Sequence, residues 1–328
     1  MAQVTSEPIT EPTPEELGGP PAPAIVGRTP RQLFWMRFRK DRVAIGAGVF
    51  IVLLIGVALL APVISNNVVH HGPNEVFHRE MLNERGIPKG PNSQFWFGAD
   101  RSGRDVFVRT LYGLRASLTI AIFATAIAMM IGVVLGVVAG FFRGWVDTLI
   151  SRAIEIVLSL PLLLFALGLS AACSIAEGGC LGGLIQPGLG LVIFIIAAFS
   201  WTYVARIIRG FTLSLREREF VDASRSLGAS NARIMFREVL PNLLAPVIIY
   251  STLIIPQNIL FEAYLSFLGV GIPQTVPSWG RMISEATAIF QVAWWLMFFP
   301  GMFLLATTLA FNLLGDGLRD ALDPRMRV

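Results

Sequence analysis

Long apolar runs at 43–65, 117–142, 145–172, 188–208, 243–268 and 294–314 leave this chain few folds to choose from. Each has the roughly 20 residues a helix needs to cross a hydrocarbon core of about 30 Å. In lipid the backbone must satisfy its own hydrogen bonds, as a spanning helix does within itself. The chain is 54% hydrophobic and only 15% charged, where a soluble domain carries about a quarter charged residues. The expectation is an all-α, polytopic membrane protein with six transmembrane helices.

The charges say how those helices are oriented. Arg37, Arg39, Lys40 and Arg42 precede the first run, and the segment from Arg206 to Arg237 is dense in arginine. Positive charge stays on the cytoplasmic side, so the N-terminus, the loop at 209–240 and the tail at 315–328 are placed there. The formal charge of +4 then reflects topology rather than nucleic-acid binding. Residues 1–28, rich in Pro, Glu, Thr and Ala, are expected to be disordered. They show no basic stretch followed by an apolar core, so a signal peptide is not expected. Thr29-Pro30 suits a helix start, and 29–42 reads as a cytoplasmic interfacial helix or as the charged flank of the next span. Residues 66–114 form a long external loop, ending in a turn and a short amphipathic helix on the outer surface. The core at 115–314 holds the other five spans, with a kink expected at Pro161 and irregular points at Pro246 and Pro256. Gly132, Gly136 and Gly140 form a small-residue stripe suited to close helix packing. Arg152 and Glu155 stand one turn apart and are expected to pair.

Bond-making chemistry is poorly provided for. The lysines are Lys40, followed by Asp, and Lys89, followed by Gly, so neither ends a Gly-x-x-x-x-Gly-Lys-Ser/Thr phosphate loop. His70, His71 and His78 with Cys173 and Cys180 have no zinc-like spacing, and no metal site is expected. The two cysteines flank a short external loop, where they form a disulfide or stay as free thiols. Glu262 lies within the fifth run. A carboxyl there faces a partner or a watery path, or sits near the outer end and reaches out of the core.

Between the fourth and fifth runs lies a segment of charged and small residues. Phe220, Ala223 and Leu227 share a helical stripe. Asp222 is at pairing distance from Arg218 and Arg225. Gly228 stands where a left-handed residue ends a helix, and Ser230 can cap the next one. Ala223, Ser224 and Gly228 leave a shallow surface for another protein. Read on composition alone, this is a solvated loop between spans. However, Asp222-Ala223-Ser224, then Gly228, then Leu240-Pro241 resembles the EAA motif of ATP-binding-cassette (ABC) importer permeases: Glu-Ala-Ala, a glycine, and a later Ile-x-Leu-Pro. Asp222 stands for Glu, Ser224 for Ala, and Glu238 for the Ile. Stretches at 97–106, 109–115, 265–271, 277–282 and 311–325 resemble further signatures of peptide permeases.

Taken together, from about residue 30 to the C-terminus, the chain resembles the C-type transmembrane subunit of the dipeptide/oligopeptide/nickel ABC importer family. The resemblance implies a type I importer permease fold and a non-catalytic subunit, set in the inner (plasma) membrane of a bacterial cell. Its partners would be a B-type permease subunit, two ABC ATPase subunits that carry ATP and Mg, and an external substrate-binding protein. No cofactor would bind this chain. Phe220, Asp222, Ala223, Ser224, Leu227, Gly228, Leu240 and Pro241 would be the ATPase-coupling residues. Import would proceed by alternating access, with peptides as cargo or, alternatively, nickel or other small cargo. An ion-coupled secondary transporter and a non-transporting scaffold are the rivals of other classes. Against the first stand the lack of an internal repeat and the few ionisable residues inside the runs. A scaffold would leave the EAA segment without a purpose.

Overall fold

The computed structural model describes residues 30–175, 180, 187–270 and 272–322. The tail expected to be disordered, 1–28, lies outside them, as do 323–328 and most of the loop between the cysteines. Helix α1 (Pro30–Phe38) leads into α2 (Arg42–Ile64). Asp41 caps α2, its Oδ1 accepting from the backbone N–H of Val43 at 2.9 Å and of Ala44 at 3.0 Å. A single π-helical turn, Ser65–Val69, extends α2 until His70 takes a left-handed conformation. A short α3 (His78–Met81) follows.

Helix α4 (Val106–Phe142) then runs without a break for 37 residues. The separate amphipathic helix expected before the second span is therefore simply its first turns. Asp105 starts α4 by accepting from the N–H of Phe107 at 2.8 Å, and Arg109, inside those turns, is fully buried beside Asp100 rather than turned to a surface. Helices α5 (Gly144–Ser159) and α6 (Leu162–Ile175) meet at an 80° bend. The expected kink is thus a true break. Pro161 offers no N–H, and the residue before a proline is driven out of the helical region. Leu160 accordingly sits at φ −77°, ψ 126°.

Helix α7 (Leu189–Arg216) is followed by α8 (Glu219–Ser226), α9 (Asn231–Ile234), a second π-helical turn (Met235–Val239) and α10 (Leu240–Phe267). α10 passes through both Pro246 and Pro256. The chain ends in α11 (Trp279–Ala286) and α12 (Trp295–Leu322), so residues 315–322 continue the last span. Among the described residues five helical stretches are long and apolar enough to cross a membrane, or six with α5 and α6 counted as one bent span.

α4 is the axis of the bundle. One side packs on α7 through the glycine stripe. A Cβ on Gly136 would lie 2.7 Å from the Ala205 carbonyl oxygen, and one on Gly140 would lie 2.8 Å from that of Arg209. Only glycine lets the two backbones come this close. The other side of α4 meets α2, α10 and α12 in a cluster that includes Ile51, Leu54, Leu118, Ile259 and Phe311. Trp279 of α11 is sealed into it, its indole N–H donating to the Thr110 carbonyl at 3.1 Å. Outward, Leu53, Leu59, Leu149 and Leu305 stay exposed, as lipid-facing side chains do. At the end of α4 away from α8, Asp100 holds Arg104 at 2.6 Å and Arg109 at 3.4 Å, and Glu285 reaches Arg281 at 3.4 Å. This network ties the loop after α2 to α4 and α11.

Candidate functional site

The segment singled out in the sequence folds as a helix, a glycine turn and a second short helix. Gly228 has φ +78°. Its N–H donates to the Arg225 carbonyl at 3.0 Å, and the Ala229 N–H donates to that of Ser224 at 3.1 Å. That pair of bonds is a Schellman end to α8. Ser230 then caps α9, its hydroxyl accepting from the Arg233 N–H at 3.4 Å. Asp222 pairs with Arg225 at 3.1 Å.

Burial divides α8 into two faces. Val221 is completely buried, with Ile234, Val239 and Leu243, against Val137 and Phe141 of α4 and Val204 and Ile208 of α7. Burying a valine from water is worth about 1.5–3 kcal/mol, enough to seat so short a helix. The opposite face carries Phe220, Asp222, Ala223 and Leu227, all exposed, with Leu227 88% accessible. Ser224 and Leu240 are half-buried, and Gly228 and Pro241 are exposed. A concavity of 270 Å³ beside Leu227 is bounded by Ser224, Gly228, Arg233 and Glu238. Glu238 stands where the motif has Ile; it is only half-buried and borders this open hollow, so its carboxylate stays within reach of water.

The seat of α8 is tied to the spans. Arg216 at the end of α7 donates to the Phe141 carbonyl of α4, and its guanidinium lies over the Phe141 ring. Arg209 of α7 grips Asp147 of α5 through two bonds of 2.5 and 2.7 Å. The ends of α4, α5 and α7 are thus joined next to α8. Sequence reasoning missed Val221 and the Asp147–Arg209 clamp. Nothing local marks Val221 as the inward residue when the larger Phe220 is adjacent.

The remaining candidates lie elsewhere. Glu262 is fully buried in α10, its carboxylate accepting from the Ser117 hydroxyl of α4 at 2.6 Å and the Ser266 hydroxyl at 2.7 Å. It joins α10 to α4 and does not reach the α8 surface. Cys173 and Cys180 are disulfide-bonded, with Cα atoms 4.7 Å apart, at the opposite end of the bundle from α8. Arg152 and Glu155 form an exposed pair at 2.7 Å.

Comparison with known proteins converges on one group. Residues 132–328 match the family model described as binding-protein-dependent transport system inner membrane component, and residues 29–82 match that of the N-terminal TM domain of oligopeptide transport permease C. The chain is 37% identical over 300 residues to the glutathione transport system permease protein GsiD of Pectobacterium atrosepticum, covering 92% of this chain and 93% of that one. It is 35% identical over 315 residues to the dipeptide transport system permease protein DppC of Alkalihalophilus pseudofirmus, covering 96% of each. In fold it is similar to a chain of the inward-facing MetNI methionine ABC transporter. That likeness has a TM-score of 0.54 at 18% identity, and covers 66% of this chain and 96% of that one.

Proposed function

The chain belongs to the binding-protein-dependent transport system inner membrane component family, and from that premise we propose that it is the C-type permease subunit of an ATP-driven importer of di- and oligopeptides. The relatives named for glutathione and dipeptide transport support a peptide cargo. The fold, a type I importer permease built on α4, is shared with the methionine transporter. A B-type permease subunit, two ATPase subunits and an external binding protein complete the assembly, with the α8 end in the cytoplasm.

The two-faced α8 carries this reading. Its outer face, Phe220, Ala223 and Leu227, is apolar and exposed, and its inner face packs on α9 and the π-helical turn after it, within one core cluster shared with the ends of α4 and α7. A surface of that kind passes on displacement. An ATPase cleft closing on α8 moves the helix as a unit, because Val221 and the Schellman turn leave it no separate freedom. α4 and α7 follow, and α5 is drawn along by the Asp147–Arg209 clamp. The spans are thereby biased between inward-open and outward-open arrangements. The bias is no larger than the difference with which ATP favours the two states. ATP and Mg belong to the ATPase subunits, since this chain lacks a phosphate loop.

The test is co-purification from membranes. Leu227→Arg and Asp222→Arg, both at exposed positions, should leave the permease in the membrane while reducing both the ATPase recovered and peptide uptake. Normal ATPase recovery with full uptake in both variants would refute the assignment of α8.

A further inference from the structure

A cleft of 280 Å³ opens between the α5–α6 break, α7 and α10. We propose that it is this chain's share of the substrate path, and that Gln257 and Tyr203 contact the peptide as it crosses; this rests on the importer reading above.

Three independent observations place water or cargo here rather than lipid. The first is the backbone. Non-helical chain at membrane depth is tolerated only when buried in protein or lining an aqueous cavity. The bend at Leu160 and Pro161 is exposed in this chain and forms one wall of the cleft. The second is an exposed amide. Gln257 lies within about 5 Å of the midpoint of α10, a helix of 28 residues, deep inside a core about 30 Å thick centred on it, and its side chain is open to the cleft. Tyr203, near the middle of α7, is 57% exposed beside it. A polar group turned to hydrocarbon without a partner costs several kcal/mol, so neither belongs on a lipid face. The third is the support behind them. Asn258 donates to the Thr125 hydroxyl of α4 at 2.8 Å and accepts from the Ser200 hydroxyl of α7 at 3.0 Å. This buried network fixes the wall that presents Gln257.

The lining chemistry names the cargo class. Phe199, Phe261 and Leu160 supply apolar surface, and Gln257 and Tyr203 supply an amide and a phenol. Among the described residues the lining holds no carboxylate, guanidinium, imidazole or thiol group. Such a wall offers a transition-metal cation only neutral oxygens, without the imidazole, thiolate or carboxylate ligands it prefers. It suits a peptide, whose backbone amides pair with a side-chain amide and whose apolar side chains find aromatic contact, while no fixed charge selects one sequence over another.

The experiment uses the complete complex reconstituted in vesicles, with Cys173–Cys180 left oxidised. A charged methanethiosulfonate probe is applied to Gln257→Cys, Tyr203→Cys and the lipid-facing control Leu53→Cys, with and without trapped nucleotide. Because only a hydrated thiol ionises and reacts, the two cleft positions should react about tenfold or more faster than the control in at least one state. Peptide delivered by the binding protein should slow that reaction. Gln257→Leu should lower peptide uptake about three- to tenfold, the equivalent of one neutral hydrogen bond. Cleft thiols as inert as the control in both states mean that lipid or the partner permease fills the cleft, and overturn the proposal. So does unchanged uptake by Gln257→Leu in a complex whose wild type imports peptide. A wild-type complex that imports no peptide instead sinks the importer reading itself.

Discussion

Gly228 and Val221 hold α8 by different means. Gly228 faces open space, with nothing within 4 Å of a Cβ placed there, but its φ of +78° disfavours any side chain. Gly228→Ala should therefore cost only the backbone penalty, about 1 kcal/mol. Val221 has no exposed surface and lies in a core cluster with residues of α4, α7, α9 and α10, so Val221→Asp must bury a carboxyl without a partner and should cost roughly 3 kcal/mol or more. Thermal unfolding of the purified permease will rank the two, and equal shifts would mean that α8 is not seated as described. The glycine and the Ser230 cap were legible because turn chemistry is local. Val221 was not, because two stripes of α8 are apolar enough to face inward and only neighbours far along the chain, such as Val137 and Ile208, decide between them.

At the level of elements, the spans were readable from run length. Their ends and breaks depended on what each residue meets. The sequence suggested a separate short amphipathic helix before the second span, but Arg109 is buried beside Asp100 and α4 continues through it. Pro161 was visible, yet proline alone does not fix the outcome: α10 absorbs Pro246 and Pro256, whereas the chain at Pro161 turns through 80°. The glycine stripe was read as a packing face, and its partner proved to be α7. Gly136→Leu should push a side chain into the Ala205 carbonyl and the Ile208 side chain, at about 1–3 kcal/mol for overpacking. The expected result is a lowered melting temperature of the purified permease. A variant as stable as wild type would show that α4 and α7 can part freely, contrary to the close packing described.

For the molecule as a whole, the two ends of the bundle, one carrying α8 and the other the Cys173–Cys180 disulfide, should lie in different compartments. An impermeant thiol reagent should leave Leu227→Cys untouched in intact cells and modify it in inverted vesicles, while an impermeant reductant should open Cys173–Cys180 from outside; the reverse pattern would invert the topology. The cleft assigned to cargo was not legible in sequence, since Gln257, Tyr203 and the break at Leu160 are far apart in the chain and meet only when α5, α7 and α10 pack. α4, finally, is about 55 Å long, well beyond the thickness of the hydrocarbon layer. One end rests on the seat of α8 and the other is set among Asp100, Arg104 and Arg109. A tilt of about five degrees about one end would swing the opposite tip by roughly 5 Å, so a small rotation begun beside α8 arrives at the far end of the bundle already magnified, with no relay of small rearrangements between.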